Sequence, residues 1–408
     1  MAGFEVFRQT NDFFYLTGID TPQAYLLIDG RNGTSTLFVP LCDEHAGSEG
    51  ASLGAEDLQR LSGVDAVHSL DHLSPALANI ETIFVPHSPA EGRLACQDTL
   101  RHAAKLIAAD PWGAEPSKEQ RTIYAICSSS PDASIRDLSP ILTDMRLIKS
   151  PSEIEAMRHA GKICALGVRE AIRSTEPGIY EYQLGGVADY VYRMNGVRSE
   201  GYRPIIAGGA NIWFAHYYRN NCVLNDGDLV IMDYAPDVSN YTSDIGRMWP
   251  VNGRYSAVQR ELYGFIVEYH KTLLRKIRPG VMPKQILAEA AEEMAAVIEK
   301  TAFSKEVYRQ AALRTLTFEG HLSHTVGMAV HDGGRYFDRP TESGLVFALD
   351  PQMWIPEEKL YIRVEDTVAV TQDGVEVLTT GVPFELDEIE ALMAKPGLIQ
   401  DYPMGIAA

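Results

Sequence analysis

The first third of the chain alternates short apolar runs with amphipathic stretches. The runs AYLLIDG and STLFVP flank the turn residues Arg31-Asn32-Gly33, a pattern that predicts a β-hairpin. Leu73 to Ile80 and Leu100 to Ala109 have the spacing of amphipathic helices, and TIFVP between them predicts a short buried strand. We therefore expect a small α/β domain over residues 1–145.

A second domain, residues 146–408, is predicted to begin with a long amphipathic helix. Ser152 and Glu155 match a capping box there, ahead of an apolar stripe. Pro177-Gly178 follows this helix, and Pro279-Gly280 follows a second long amphipathic stretch in the same way. The repeat predicts that the second domain consists of two similar halves, with any site lying between them.

The chain is acidic, with 36 Lys+Arg against 55 Asp+Glu and a formal net charge of −19. Binding to nucleic-acid phosphates needs a basic face, and none is evident, so we expect no nucleic-acid partner. The acidity also argues against docking on anionic lipid, and no run approaches the ~18 apolar residues of a membrane span. We therefore expect no membrane partner either.

Cysteine usage and the amino-terminal residues bear on location. The five cysteines are scattered, with no CxxC pair: Cys42, Cys96, Cys127, Cys164 and Cys222. This usage suits a reducing compartment and neither a disulfide framework nor a thiolate metal site. The first residues lack a basic start followed by an apolar run, so no signal peptide is predicted. The sequence predicts a cytoplasmic protein.

One acidic pair lies in NDGDLVIMDYAPDVSNYTSDIGRMWPVNG. Asp233 and Asp244 are equally distant from a polar turn whose centre falls between Val238 and Ser239. Residues equidistant from the turn of an antiparallel hairpin face each other. We therefore expect these two carboxylates to be cross-strand neighbours.

A second pair repeats the arrangement in GLVFALDPQMWIPEEKLYIRVEDTVAV. Asp350 and Glu365 lie symmetrically about a turn centred between Glu357 and Glu358. A single acid would more simply lie on a solvated strand face, but four acids in mirrored, apolar settings favour a site. Because burial and mutual repulsion both oppose ionisation, we expect one or two divalent cations to neutralise them.

Histidines offer a nitrogen ligand. His321, His324 and His331 fall within FEGHLSHTVGMAVHDGG, among small residues and glycines. A lone histidine is more often a hydrogen-bonded core residue, but three beside four unexplained acids favour a ligand. Imidazole shifts the plausible metals towards Mn, Fe, Co or Zn. His216, in IWFAHYYRNN, stands alone, and its spacing assigns it no role.

These segments resemble the metallopeptidases of the pita-bread (creatinase-like) fold, closest to aminopeptidase P and prolidase. The resemblance rests on FRQTNDFFYLTGI near the start, MRLIKSPSEIEAMRHAG at the entry to the second domain, and VPFELDEIEAL near the end. It implies an α+β fold: a pita-bread catalytic domain with pseudo-two-fold halves, preceded by a smaller α/β domain. A homodimer is common in this group and is expected by analogy.

The resemblance also implies roles for individual residues. The implied metal ligands are Asp233, Asp244, His324, Asp350 and Glu365. They would hold two divalent ions, Mn foremost, with Co, Zn or Fe as alternatives, and a hydroxide between them would attack the scissile carbonyl. The implied substrate-contacting residues are His216, His321, His331 and Arg363. His216, His331 and Asp350 would take part in catalysis.

The chain departs from the family pattern at two positions. The family usually has Glu-Pro-Gly where this chain reads Asp350-Pro351-Gln352, and a glycine where it has Ala235. The acid at position 350 also shuttles a proton in family members. Aspartate is one methylene shorter than glutamate, and a misplacement of about 1 Å can reduce a rate by roughly 100-fold. These departures predict a divergent subgroup that retains the site.

Three functions follow in order. The first is an enzyme that cleaves small peptides at Xaa-Pro bonds, as an aminopeptidase or as a dipeptidase; Arg335 and Arg339 are candidates to bind a dipeptide's free carboxylate. The second is a hydrolase of another C–N bond, or a lyase, acting on a small metabolite on the same fold. The third is a non-catalytic binding protein in which Asp350 has disabled the site.

Overall fold

The computed structural model describes residues 7–40, 53–113 and 116–401. By their internal contacts the residues divide into two compact units, Met1–Thr143 and Asp144–Ala408. Cys42 lies outside the described residues. Within them, no helix has both the length and the apolar character needed to cross a membrane.

The first unit alternates helices and strands in a small α/β arrangement. Its elements are α1 (Asn11–Thr17), β1 (Tyr25–Asp29), β2 (Thr34–Val39), α2 (Ala55–Ser62), β3 (Ala66–Ser69), α3 (Leu73–Ala76), β4 (Thr82–Val85), α4 (Gln97–Ala109), α5 (Lys118–Ser129) and β5 (Ser134–Asp137). β1 pairs antiparallel with β2, β2 pairs parallel with β3, and β4 pairs parallel with β5. Small apolar clusters hold these layers, one around Leu37 and Leu58 and one around Ile83 and Ile126.

Local predictions for this unit are confirmed except at one helix. The β1–β2 hairpin turns at the predicted residues, where Asp29 accepts a hydrogen bond from the backbone N–H of Arg31 at 2.9 Å and Gly33 has a φ of 67°. The strand TIFV and the helix over 100–109 are also present. The helix predicted over 73–80 is wrong in its second half. It ends at Ala76, and Asn79 then has a φ of 60°, which no right-handed helix accommodates.

The second unit is built on one central sheet. Its elements, with α6 lying at the boundary, are α6 (Ser139–Leu147), α7 (Pro151–Arg173), α8 (Glu181–Met194), β6 (Ser199–Glu200), β7 (Ile205–Gly208), β8 (Leu229–Asp233), β9 (Pro236–Asp237), β10 (Ile245–Pro250), α9 (Ala257–Lys276), α10 (Pro283–Lys300), α11 (Glu306–Leu316), β11 (Val346–Leu349), β12 (Gln352–Ile355), β13 (Leu360–Arg363), β14 (Glu365–Val370), β15 (Val375–Val377), α12 (Leu386–Met393) and α13 (Leu398–Asp401).

The central sheet has the strand order β11-β14-β10-β8-β7, with β15 added to β14, and its pairings are antiparallel. Every residue of β8, β10 and β14 is buried. A sheet buried on both faces needs cover from other elements, and one apolar core joins the sheet to α7, α8, α9 and α10. The side chains on these strands therefore lie in a largely dry environment.

The long helix α7 begins two residues earlier than the sequence predicts. Its capping box is formed by Ser150 and Glu153, whose backbone N–H groups each bond the other's side chain, and not by Ser152 and Glu155. The reason is Pro151, which lacks an N–H and is preorganised for the first helical position. The earlier serine is therefore the better N-cap.

The predicted repeat is confirmed in the element order. Helix α7 is followed by Gly178, with a φ of 97°, and then by α8, while α9 is followed by Gly280, with a φ of 80°, and then by α10. Each helical pair is followed in the chain by strands of the same central sheet. The architecture is the α+β pita-bread fold with two similar halves.

The register predicted for the first acidic hairpin is wrong. Asp233 pairs with Gly246 and not with Asp244, and the turn is centred on Ser239-Asn240. Both turn residues have positive φ, 53° and 66°, as a two-residue type I′ turn requires. The centre therefore lies one residue later than the acids suggested, which moves every cross-strand partner by two.

The register predicted for the second hairpin is confirmed. Leu349 pairs with Asp366, and Gln352 pairs with Arg363, so the same register continues across Asp350 and Glu365. β12 and β13 meet at a short 3₁₀ turn at Pro356–Glu358, where the two glutamates of the predicted centre lie. Asp350 and Glu365 consequently lie opposite each other in the register.

Close packing of α7 predicts the effect of a methyl group at Gly161. A Cβ there would lie 2.2 Å from the carbonyl oxygen of Leu378, so the backbone would have to shift. We expect Gly161→Ala to reduce the free energy of unfolding by about 1–3 kcal/mol, measured by urea denaturation of the metal-free protein. Gly186→Ala on α8 is the matched control, because nothing lies within 4 Å of its added Cβ. It should stabilise the protein by about 0.5–1 kcal/mol. Equal effects of the two substitutions would contradict the close approach of α7 to Leu378.

Candidate metal centre

Three strands bring two of the predicted acids to either side of one glycine. Gly246 in β10 pairs with Asp233 in β8 on one side and with Glu365 in β14 on the other. Asp244, two residues before Gly246, points to the same face because side chains alternate along a strand. Three carboxylates that are distant in the sequence thus converge on one buried face, where Asp233, Asp244 and Glu365 are 4%, 3% and 0% exposed.

The absent side chain of Gly246 makes room for this convergence. A Cβ on it would lie 2.9 Å from Glu365 Oε2 and 3.2 Å from Arg363 Nε. Both contacts are tighter than ordinary van der Waals packing, and both involve functional atoms of the candidate site. Glycine at this position therefore allows the carboxylate and the guanidinium to occupy the same sheet face.

A single hydroxyl group lies between the first two acids. The Oη of Tyr202 is 2.7 Å from Asp233 Oδ1 and 2.9 Å from Asp244 Oδ1. A phenol has only one proton to donate, so it satisfies one carboxylate at a time. Burial, followed by the charges of the two acids, raises the pKa of Tyr202 well above its usual value, so the hydroxyl stays protonated.

Arg363 supplies the positive charge among these acids. Its Nη2 donates to Asp233 Oδ2 at 2.5 Å, and its Nη1 lies 3.2 Å from Glu365 Oε2. It is 5% exposed, and the charges of Glu365, Asp233 and Asp350 favour its charged form over the opposing effect of burial. One guanidinium against four carboxylates leaves three negative charges uncompensated.

His324 completes a cluster of potential ligand atoms. Ligand atoms of Asp244, His324 and Glu365 all lie within 4.8 Å of one another. The Nδ1 of His324 is 3.3 Å from the carbonyl oxygen of Thr325, which favours a proton on Nδ1 and leaves the Nε2 lone pair towards Asp244, 3.4 Å away. Burial, and then the neighbouring His331, lowers the pKa of His324 to about 3. The imidazole is therefore neutral at physiological pH, as a metal ligand must be.

Asp350 and Asp233 lie outside this three-residue set. Asp350 is 9% exposed, and its Oδ2 accepts a hydrogen bond from Gln352 Nε2 at 2.8 Å. Burial raises its pKa, against the charge of Arg363 and hydrogen bonds from Ser323 and Gln352. It borders a cavity of about 530 Å³ whose largely apolar walls include Phe318, Leu322 and Trp354.

The remaining predicted histidines lie in two places. His331 packs its ring against His324, with centroids 4.0 Å apart, and His216 lies a further 6.2 Å from His331. These three rings form a row from the buried acids to the exposed His216. His321 is exposed, packs edge-on against Phe318 at 5.3 Å, and lines the cavity beside Asp350.

The site has an unmet electrostatic demand that fits divalent cations. Neither carboxylate oxygen of the fully buried Glu365 accepts a hydrogen bond from the described residues. Burial raises the pKa of Glu365 and of Asp244, and nearby acids add to the rise: Asp233 for both groups and Glu365 for Asp244. Carboxylates with one neutral imidazole suit Mn, Fe, Co or Zn. Two such ions would more than neutralise the three uncompensated charges.

Sequence reasoning missed two residues that shape the site. Tyr202 carries no motif and lies far from either acidic hairpin in the sequence. Gly246 stands within the hairpin, and a glycine inside a strand pattern is a signal of close approach that could have been used. A third, Thr367, accepts from the backbone N–H of Asp244 at 2.6 Å and donates to its carbonyl at 2.9 Å, which fixes that residue's main chain.

Comparisons with known proteins agree with this geometry. The family model described as metallopeptidase family M24 matches residues 155–372, and that of the aminopeptidase P N-terminal domain matches residues 2–83. The Xaa-Pro aminopeptidase of Escherichia coli (strain K12) is 32% identical over 408 residues, covering 95% of this chain and 89% of that protein.

Solved structures are similar over nearly the whole chain. Zn-substituted E. coli aminopeptidase P in complex with product has a TM-score of 0.76 at 30% identity and covers 96% of this chain and 90% of that one. Proline aminopeptidase P II from Yersinia pestis has a TM-score of 0.76 at 31% identity, with 96% and 91% coverage. Both units of the chain therefore have counterparts in proteins of known structure.

A methyl group at position 246 should weaken metal binding. Gly246→Ala would press on Glu365 Oε2 and displace a potential ligand. We expect at least about a 10-fold loss of Mn²⁺ affinity, measured by isothermal titration calorimetry on protein stripped with chelator. Gly264→Ala in α9, where nothing lies within 4 Å of the added Cβ, should bind as the unaltered protein does. Unchanged affinity in Gly246→Ala would show that Glu365 is not a ligand.

The stabilisation that a metal provides should increase with pH. Because the raised pKa values of Asp244 and Glu365 hold protons that the unfolded chain has released, metal-free stability declines as pH rises above about 4. A bound cation replaces those protons and removes the loss. We expect Mn²⁺ to raise the Tm more at about pH 8 than at about pH 5.5, measured by scanning calorimetry. A Tm increase that is the same at both pH values would contradict the shared burial of these acids.

Proposed function

Because the chain belongs to metallopeptidase family M24, we propose that it removes the amino-terminal residue from peptides whose second residue is proline. The chain is a metal-dependent peptidase that hydrolyses Xaa-Pro bonds. The observation that carries the proposal is the cluster of Asp244, His324 and Glu365, with Glu365 buried and its carboxylate oxygens lacking a hydrogen bond from the described residues. The similarity to Xaa-Pro aminopeptidases over 95% of the chain supplies the substrate class.

We assign the metal ligands as Asp233, Asp244, His324, Asp350 and Glu365. Bound divalent cations would polarise the scissile carbonyl and lower the pKa of water. Within this set Arg363 keeps Asp233 oriented, and Tyr202 restrains the two acids that share its hydroxyl. We assign Mn²⁺ as the resident ion, because oxygen donors predominate.

The side chains around the ligands handle the substrate. Asp350 takes the proton from the attacking water and passes it to the departing proline nitrogen, which its position beside both Arg363 and the cavity supports. His331 and His216, in their row leading to the surface, position the peptide and donate to the developing oxyanion. His321 lines the cavity that receives the proline ring.

Two contacts favour an aminopeptidase over a dipeptidase. A dipeptidase needs a cation for the free carboxylate next to the scissile bond, and Arg335 and Arg339 are the sequence candidates. Arg335 pairs with Asp338 at 2.9 Å, and Arg339 pairs with Asp144 at 2.9 Å. Since both guanidinium groups already have carboxylate partners, longer peptides fit the site better.

The alternatives are less well supported. A non-peptidase activity on a small metabolite has no observation in its favour, whereas the relatives support peptide hydrolysis. A non-catalytic protein would not need to retain the buried, mutually repelling acids. A homodimeric state and a cytoplasmic location stay predictions of the sequence.

We also propose that residues 1–145 and 146–408 fold as separate domains. The grouping of internal contacts into Met1–Thr143 and Asp144–Ala408 supports this division. The family model for metallopeptidase family M24 begins later, at residue 155.

The activity is tested with a peptide series. The Mn²⁺-loaded protein should cleave Xaa-Pro-Yaa, leave Xaa-Ala-Yaa intact, and act weakly on Xaa-Pro, as followed by mass spectrometry of the products. Asp244→Asn should lower kcat/KM by more than about 100-fold, since it removes one ligand charge. Asp387→Asn, at an exposed acid paired with Arg260, should have no effect. Preferred cleavage of Xaa-Pro would instead indicate a dipeptidase, and bound metal without cleavage of any peptide would contradict the proposal.

A further inference from the structure

We propose that Gln352 is a positioning residue that holds the short carboxylate of Asp350 in its working place. This inference rests on the proposed function, since it concerns how the same site operates with aspartate at position 350. It makes the two departures Asp350 and Gln352 one coupled change. Neither the metal cluster nor the row of histidines requires it.

The observation is a chain of hydrogen bonds along one strand face. Asp350, Gln352 and Trp354 alternate along the chain, so their side chains point to the same side. The Nε2 of Gln352 donates to Asp350 Oδ2 at 2.8 Å, and the Nε1 of Trp354 donates to Gln352 Oε1 at 3.2 Å. Carboxylate, amide and indole are thereby linked in order.

The indole determines which way the amide faces. Trp354 Nε1–H can only donate, and an ionised carboxylate can only accept. The amide oxygen must therefore face Trp354 and the amide nitrogen must face Asp350. The reversed orientation would place two acceptors together at one end and two donors at the other. The direction of the Gln352 side chain is consequently fixed by chemistry as well as by packing.

The two ends of this chain are themselves restrained. The Trp354 ring packs on Tyr361, with centroids 4.2 Å apart, and edge-on against Trp213 at 5.3 Å. The Gln352 main chain is held as well, because its carbonyl accepts from Thr315 of α11 at 3.2 Å and its strand partner is Arg363. A restrained donor can fix the carboxylate that it contacts.

A restrained donor matters here because Asp350 has lost a methylene. The register places Asp350 opposite Glu365, so its main chain is set by the sheet and cannot move closer to the site. The shorter side chain must then reach from a fixed origin, and a misplacement of about 1 Å can reduce a rate by roughly 100-fold. Glycine at position 352, the usual family residue, offers no side chain to correct this.

Removing the donor while keeping the side-chain volume is the first test. We expect Gln352→Leu to lower kcat on Xaa-Pro-Yaa by about 10- to 100-fold, with KM changed less than about 3-fold. Calorimetric titration of chelator-stripped protein with Mn²⁺ should show about a 10-fold weaker second binding step. The matched control is Gln285→Leu, which removes an exposed amide that donates to Glu289 at 2.9 Å. It should leave kcat and both Mn²⁺ binding steps unchanged.

Restoring the family arrangement is the second test. Asp350→Glu alone places the longer acid against Gln352 and should reduce kcat, whereas Asp350→Glu with Gln352→Gly should recover to within about 5-fold of the unaltered protein. Trp354→Phe keeps a ring but frees the amide to rotate, so we expect an effect on kcat smaller than that of Gln352→Leu.

The outcomes separate this inference from the proposed function. Kcat within about 2-fold of the unaltered protein together with unchanged Mn²⁺ binding in Gln352→Leu would overturn the inference, as would a double variant no better than Asp350→Glu alone. If the unaltered protein binds Mn²⁺ but cleaves no Xaa-Pro peptide, the proposed function fails. The Mn²⁺ titrations of the variants then still decide whether Gln352 positions Asp350.

Discussion

The burial of mutually repelling carboxylates on one sheet face is the constraint on which the rest of this structure depends. Asp233, Asp244 and Glu365 lie almost fully out of solvent, where each disfavours the ionisation of the others. The side-chain contacts around them reduce that cost. Arg363 contributes one positive charge and Tyr202 one shared proton, and neither is sufficient. Divalent cations complete the compensation, so the metal requirement follows from the electrostatics of the fold.

The opposite face of the same strands shows what full compensation looks like. Asp366, next to Glu365 in β14, accepts from Arg247 at 2.7 Å and from Thr379 at 2.6 Å. Arg247 also donates to the carbonyl oxygen of Glu365 at 2.5 Å, so this pair fixes the main chain that carries the buried glutamate. Burial lowers the pKa of nearby His270 to about 4, so that imidazole adds no charge. One face is therefore a rigid, neutralised support, and the other keeps its negative charge for a cation.

Much of this arrangement could be predicted from the sequence, within limits set by turn geometry. The apolar pattern indicated the hairpins and long helices, and symmetric acids located the register of Asp350 and Glu365 correctly. The same reasoning misplaced Asp244 because the turn residues Ser239-Asn240, and not the acids, determine the hairpin centre. Tyr202 could not be predicted, since its approach to both acids depends on tertiary packing that leaves no periodic signal. Gly246 could have been, from its place inside a strand.

The histidine-bearing segment shows how the site keeps its shape where no regular element supports it. Asp332 follows His331 directly and is ion-paired with Arg146 and with Lys149, the latter at 3.1 Å. Burial opposes ionisation of Asp332, but the two positive charges prevail and lower its pKa. Such a pair is costly to break, because removing one partner leaves an uncompensated buried charge. The segment between His324 and His331 is therefore anchored at its end by charge pairing, as the acids are held by the sheet. A catalytic metal centre needs this rigidity, because its ligands come from strands and a loop far apart in the chain and must keep their separations when the cation binds.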